Sequence, residues 1–206
     1  MGQPKLLLPW PNDGSDSSSP QSDAVGISNS RVIDQVLHAW TCSRTDEVVV
    51  IVRHDDQELR DACSRWKVSI VQPEIAPGDM KESVQHGLRY LQKHQPNSID
   101  RFFVAPADTP TISSAIINRL VDMTADQDTI VVPTFAGRSG HPVLLPWGLS
   151  QEIFALGENE GVDQVVSRHP QMMVEFGADE RVGDVDTPDE YEAAFQLAQK
   201  RRTNQR

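Results

Sequence analysis

Two acidic residues lie where an enzyme built on a sheet could hold a metal ion. Asp108 follows the apolar run FFVA at 102–105, and Asp186 lies in GDVDTPDEY, just before a segment typical of a helix start. Asp108 alone is equally well explained as a turn residue, and Asp186 alone is better explained as part of a helix entry. Together, carboxylates at two strand ends suit Mg²⁺, which takes one or two carboxylates and completes its shell with water and substrate phosphates. The pair is therefore a candidate magnesium site.

A third candidate is Lys5, which follows Gly2 and Pro4 at the start of the chain. A lysine ammonium beside a glycine turn suits phosphate binding. The alternative is an ordinary solvated lysine, because the signal is a single residue.

The stretch FAGRSGHPVLLP at 135–146 is the fourth candidate. Glycines such as Gly140 allow the backbone to approach a ligand closely. Arg138 and His141 flank Gly140 and could form the edge of a pocket, with a simple glycine-rich turn as the alternative. The chain contains no G-x-x-x-x-G-K-[ST] loop, no G-x-G-x-x-G loop and no G-x-S-x-G nucleophile elbow.

Strand and helix patterns alternate along the chain and position these residues. Short apolar runs predict strands at 47–52, 67–72, 102–105 and 129–133. Capping signals at Ser30, Asp79, Ser113 or Ser114, and Thr187 predict helix starts. Such alternation predicts an α/β fold with a mostly parallel sheet between two helical layers, and ligands then bind beyond the carboxyl ends of the strands.

Composition limits the possible functions. The chain has 206 residues and a net charge of −11, which predicts one domain over 1–206, with a flexible Ser-rich loop at 11–30 and a tail at 202–206. An acidic surface argues against nucleic-acid partners. No apolar stretch approaches the roughly 20 residues of a membrane span, and no signal peptide is visible, so we expect a cytoplasmic protein with no membrane partner.

Five stretches, in order, resemble the MobA-like family of nucleotidyltransferases, which includes molybdenum cofactor cytidylyltransferase and guanylyltransferase. The stretches are MGQPKLLLPW, GDMKESVQHGL, PADTP, GRSGHPVLL and VDTPDEY. They are similar to the family's R-M-G-x-x-K, G-x-M-x-x-S, G-D-x-P, G-R-x-G-H-P and D-T-P-E-D-Y patterns. KLLLPW is closer to the cytidylyltransferase branch, which favours CTP over GTP.

The resemblance implies a three-layer, Rossmann-like fold of the nucleotide-diphospho-sugar transferase type, and transfer of a nucleoside monophosphate to a phosphorylated pterin with release of pyrophosphate. It implies that Asp108 and Asp186 bind Mg²⁺ and that Lys5 and Asp108 are catalytic. It also implies a molybdoenzyme or a maturation protein as partner. The remaining implied contacts are Gly2, Lys5, Gly78, Ser83 and Asp108 with the nucleotide, and Arg138, Gly140 and His141 with the acceptor.

The first stretch differs from the family in what precedes it. In the family, a first strand and a loop resembling L-A-A-G-x-S-x-R come before M-G-x-x-K, and the loop's backbone N–H groups wrap the triphosphate. Here the sequence starts at the Met-Gly pair. We expect a start codon further upstream or a truncated relative, and low activity of the 206-residue chain.

Two other functions stay open at this stage. One is a non-catalytic nucleotide-binding relative that lost the phosphate loop, and the other is a sugar-nucleotide transferase on the same sheet. The lack of the family's N-terminal strand and loop would favour the non-catalytic relative, whereas the GRSGHP stretch argues against the sugar-nucleotide transferase.

Overall fold

The protein folds as alternating helices and strands. The structure, a computed structural model, describes residues 4–11, 30–95, 99–123, 128–177, 180 and 185–204. A short 3₁₀ helix spans Lys5–Leu7 and another spans Trp147–Leu149. The α-helices are α1 (Val32–Thr41), α2 (Gln57–Cys63), α3 (Met80–His94), α4 (Ser114–Asp122), α5 (Ser150–Phe154), α6 (Val162–Arg168) and α7 (Pro188–Asn204). The strands are β1 (Val49–Ile51), β2 (Ser69–Val71), β3 (Arg101–Val104), β4 (Ile130–Phe135), β5 (Arg138–Ser139), β6 (Val143–Pro146) and β7 (Gln171–Phe176).

The strands are less parallel than the alternating pattern predicts. β1 pairs with β2 in parallel, and β4 pairs with β7 in parallel. β6 runs antiparallel to both β3 and β4, and β5 runs antiparallel to β4. A mostly parallel sheet is therefore not confirmed. The reason is that β4 is followed by a tight hairpin and a returning strand, where a helical crossover would have kept the next strand parallel.

The described strands form two sheets. β1 and β2 make a two-stranded sheet, and the other five strands make a second sheet in the order β3-β6-β4-β5, with β7 beside β4. Within the described residues, the edge of β1 away from β2 and the edge of β3 away from β6 have no strand partner.

Helices cover both faces of the larger sheet, as predicted for a three-layer fold. Alternate strand residues such as Phe102 and Val132 pack against Leu88 of α3 and against α5 and α6. Val131 and its neighbours on the opposite face pack against Ile116 and Leu120 of α4. β1 and β2 pack against α1 and α2. The side chains of each strand thus alternate between two apolar layers.

Helix starts follow the capping signals in most cases. The Asp79 and Ser113 side chains accept hydrogen bonds from the N–H groups of Glu82 and Ile116. Thr187 and Glu190 form a reciprocal capping box at the start of α7. The prediction at Ser30 is wrong by one residue, because the N-cap of α1 is Arg31.

Other expectations are corrected or lie beyond the described residues. Met80 shares the apolar period of α3 with Leu88, which predicts an inward side chain, but 53% of its surface is exposed. The predicted tail is helical as far as Asn204. The predicted loop at 11–30 lies almost entirely outside the described residues, and so does Gly2. None of the described helices has the length and apolar character needed to cross a membrane.

Candidate active site

Three residues that are distant in sequence meet beyond the carboxyl end of β3. The Lys5 ammonium donates hydrogen bonds to Asp108 Oδ2 and to Asp186 Oδ1, the second at 2.7 Å. The structure therefore brings together the phosphate candidate and both metal candidates of the sequence.

The N-terminal segment is anchored by the C-terminal helix, which positions Lys5. Trp10 is buried and packs edge-on against Tyr191 and Phe195 of α7. The Leu8 carbonyl accepts a hydrogen bond from the Val32 N–H at the start of α1. The 3₁₀ turn that carries Lys5 is thus held between α1 and α7.

A backbone contact places the two acids side by side. The Val185 N–H donates to the Asp108 carbonyl at 3.1 Å, and the Val185 side chain is buried against Trp10 and Val32. Asp186 follows directly, ahead of the capping box of α7. On the other side, Thr109 is buried and its hydroxyl donates to the Pro106 carbonyl at 3.1 Å, which fixes the turn after β3.

The environments of the three charged groups differ. The Asp108 side chain is 15% exposed, whereas that of Asp186 is 62% exposed and that of Lys5 is 36% exposed. Burial lowers the pKa of Lys5, but hydrogen bonds and charge from Asp108 and Asp186 outweigh it, so the pKa lies above its ordinary value. Lys5 is therefore a cation throughout the physiological range.

One oxygen of Asp108 is left without a partner. Its Oδ1 atom is buried and makes no hydrogen bond. A buried carboxylate oxygen without a donor is costly, and a cation at this position would remove that cost. The donor set thus fits a magnesium-like ion held by Asp108 and Asp186, with water and phosphate oxygens completing its shell. The described residues contain no cluster of three or more His, Cys, Asp or Glu side chains suited to a metal.

Gly78 and Ser83 flank the start of α3, and their hydrogen bonds are local. The Gly78 N–H donates to Glu82 Oε2 at 2.7 Å, and the Ser83 hydroxyl donates to the Asp79 carbonyl at 3.1 Å. Gly78 lies on the loop that leaves the carboxyl end of β2, and Ser83 lies in the first turn of α3. No described hydrogen bond brings them to Lys5 or Asp108, and their role with the nucleotide stays a prediction.

The glycine-rich stretch forms the β4–β5 hairpin and the wall of a cavity. Gly137 adopts φ 74°, in the left-handed region that favours glycine. A Cβ on Gly140 would lie 3.0 Å from the Phe135 ring. Gly140 and His141 line a cavity of about 540 Å³. Arg138 is exposed on β5 and does not line it.

The cavity contains charged residues that the sequence patterns did not single out. Its floor is apolar, with Val104 at the end of β3, and its rim includes Asp79, Lys81, Glu160 and Asp163. The Lys81 ammonium is buried and donates to the Gly157 carbonyl at 2.7 Å. Asp79 and Lys81 lie within the GDMKES stretch, which was the available signal. Glu160, just before α6, and Asp163, in its first turn, belong to no motif.

Hydrogen bonds favour the ionised form of Glu160 on this rim. The pKa of Glu160 lies below its ordinary value because the Gly157 N–H and then Arg168 donate hydrogen bonds to it.

A second cavity of about 430 Å³ lies near Asp100 and Trp147. It is at the amino end of β3, the opposite end from Asp108.

The solved structures that resemble this chain share its fold. A nucleotidyl transferase from Methanothermobacter superposes with a TM-score of 0.72 at 19% identity, over 96% of this chain and 86% of that chain. The Rv0371c protein of Mycobacterium tuberculosis in complex with manganese superposes with a TM-score of 0.69 at 21% identity, over 95% of this chain and 93% of that chain. The fold is thus the α/β fold of nucleotidyltransferases of the nucleotide-diphospho-sugar transferase type.

Sequence comparison identifies the family. A molybdenum cofactor guanylyltransferase from Rhodopseudomonas palustris (strain BisB5) is 32% identical over 106 residues, which are 48% of this chain and 49% of that protein. The chain thus aligns with about half the length of this curated relative. The family model described as "MobA-like NTP transferase domain" matches residues 1–172. The chain therefore belongs to the MobA-like NTP transferase domain family.

Proposed function

We propose that this protein is a Mg²⁺-dependent nucleotidyltransferase that moves a nucleoside monophosphate from a nucleoside triphosphate to a small phosphorylated acceptor related to the molybdenum cofactor. The observation that carries the proposal is the buried, unpartnered Oδ1 of Asp108, beside Lys5 and Asp186 at the carboxyl edge of the sheet. The family assignment and the manganese in the related Rv0371c structure support it.

The chain's residues would act by positioning and by charge. Asp108 and Asp186 would hold Mg²⁺, which neutralises charge on the triphosphate when bound. Lys5 would hold the phosphates as a point charge. The acceptor's phosphate oxygen attacks the α-phosphorus, and a new P–O bond forms. The bond from the α-phosphorus to the bridging oxygen breaks, and pyrophosphate leaves with the electron pair. No covalent enzyme intermediate is needed.

The acceptor half of the site would be the cavity beside the β4–β5 hairpin. Its acidic rim disfavours a phosphate inside it. An apolar floor with carboxylates at the rim suits a flat, donor-rich ring such as a pterin, bordered by Gly140 and His141. Arg138, exposed on the hairpin, is suited to the acceptor's phosphate at the entrance.

Two nucleotides are candidate substrates. KLLLPW favours CTP, whereas the curated relative is named a guanylyltransferase, which favours GTP. We retain CTP as the expected substrate and treat GTP as the alternative to be tested.

The experiment is a transfer assay with α-labelled CTP or GTP and molybdopterin, with Mg²⁺ or with chelator. It should use the 206-residue protein. We expect Mg²⁺-dependent label in the acceptor and equimolar pyrophosphate. A protein that binds nucleotide but transfers no label would be a binding protein. Transfer to a sugar phosphate instead of molybdopterin would identify a sugar-nucleotide transferase.

A further inference from the structure

Lys5 is in direct contact with both proposed metal ligands. Its ammonium donates to Asp108 Oδ2 and to Asp186 Oδ1. In the described part of the chain, Lys5 is the ion-pair partner of both Asp108 and Asp186. One cation thus bridges two carboxylates that the proposed function assigns to Mg²⁺.

This arrangement is built into the fold. The Val185 N–H bond to the Asp108 carbonyl keeps the two acids adjacent, and Val185 shares an apolar cluster with Leu6 and Trp10. The turn that carries Lys5 and the segment that carries Asp186 therefore pack against the same apolar cluster.

A divalent ion at the unpartnered Oδ1 of Asp108 would share its carboxylate with the Lys5 ammonium on Oδ2, so the two cations repel each other at close range. The same ammonium is suited to a triphosphate, which carries several negative charges. We propose that Lys5 is an exchangeable counter-ion: it competes with the divalent ion for Asp108 and Asp186 in the nucleotide-free protein, and moves onto the triphosphate when metal and nucleotide bind together. The second half of this proposal rests on the proposed function, whereas the first half concerns metal binding alone.

The proposal predicts effects of opposite sign on two ligands. Removing the ammonium frees both carboxylates, so the metal alone should bind more tightly. The same change removes a phosphate contact, so the nucleotide should bind more weakly. If Lys5 only maintained the integrity of the site, its removal would weaken the binding of both the metal and the nucleotide.

The test is a Mn²⁺ titration followed by the EPR signal of the free ion, without nucleotide. The proteins are the wild type, Lys5→Gln and Lys67→Gln. Lys67 is exposed and has no role in the site, so its variant controls for the change in net charge. We expect Lys5→Gln to bind Mn²⁺ at least fivefold more tightly than the wild type, and Lys67→Gln to stay within twofold of it. Lys5→Met, which keeps the apolar stem, replaces Lys5→Gln if circular dichroism shows that the latter is unfolded.

A second titration locates the effect and tests the exchange. Adding Asp108→Asn to the Lys5 variant should abolish the gain in Mn²⁺ affinity. Binding of Mg²⁺-CTP and Mg²⁺-GTP should weaken at least tenfold in the Lys5 variant. Unchanged or weaker Mn²⁺ binding by the Lys5 variant would overturn the proposal. If no protein binds nucleotide, the proposed function fails, and the Mn²⁺ titration still decides whether Lys5 competes with the metal.

Discussion

Replacing Asp108 by asparagine removes one charge from the centre of the site and almost no volume. The carboxylate lies past the end of β3, it supports no part of the apolar core, and its Oδ1 has no donor to lose. Lys5 keeps its second partner, Asp186, so no cation is left unpaired. We expect the fold to survive with a loss of less than about 1.5 kcal/mol in the free energy of unfolding.

The effect on the metal should be much larger. Two unit charges 4 Å apart attract by about 4 kcal/mol at an effective dielectric constant of 20, and a divalent ion doubles this. Dehydration of the ion and the carboxylate offsets most of that gain, and the asparagine still offers one oxygen. We take about 2.7 kcal/mol as the net loss, which is roughly 100-fold in affinity.

The assay is isothermal titration of Mg²⁺-CTP and Mg²⁺-GTP into the wild type, Asp108→Asn and Glu58→Gln. Glu58 is exposed on α2 and has no described hydrogen bond or ion pair with Lys5, Asp108 or Asp186, so its variant loses the same charge without removing a contact of the site. We expect the affinity for nucleotide to fall about 100-fold in Asp108→Asn but not in Glu58→Gln. The thermal unfolding midpoint of Asp108→Asn should shift by less than about 6 °C. Equal affinities for Asp108→Asn and the wild type would refute the assignment of Asp108 as a metal ligand.

Two further predictions concern the rest of the molecule. Arg138→Ala and His141→Ala should each lower kcat/KM for the acceptor at least tenfold while nucleotide affinity stays within twofold; an equal loss for the nucleotide would assign the hairpin to the other half of the site. At pH 8, a disulfide reagent should label exposed Cys42 in the native protein but reach Cys63 only after denaturation, because burial raises the pKa of Cys63 to about 11; labelling of two thiols in the native state would contradict this.

The site could be predicted from the sequence where local chemistry determines position. Asp108 follows an apolar strand and Asp186 precedes a capping box, and both signals are short-range. Ends of strands meet at one edge in such folds, so both acids were expected near each other. The contact of Lys5 with both acids was not predicted, because it depends on the packing of Trp10 against α7 across nearly the whole chain.

The parts that the sequence did not predict depend on long-range geometry. The sequence VLLP of β6 is an apolar run that predicts a buried strand. It does not predict the direction of that strand, which lies antiparallel between β3 and β4. Met80 fits the helical period of α3 but lies in its first turn, beyond the edge of the core, and so is exposed. Two acids of the cavity rim, Glu160 just before α6 and Asp163 in its first turn, have no sequence motif to mark them.

The most direct test of the account is the position of a metal ion in crystals of the protein grown with Mn²⁺ and a non-hydrolysable CTP or GTP analogue. Anomalous scattering identifies manganese independently of the surrounding density. The account predicts a peak in contact with the carboxylates of Asp108 and Asp186, next to the α-phosphate, with the Lys5 ammonium moved onto the phosphates. A bound nucleotide whose manganese lies elsewhere, with Lys5 still bridging the two acids, would contradict it.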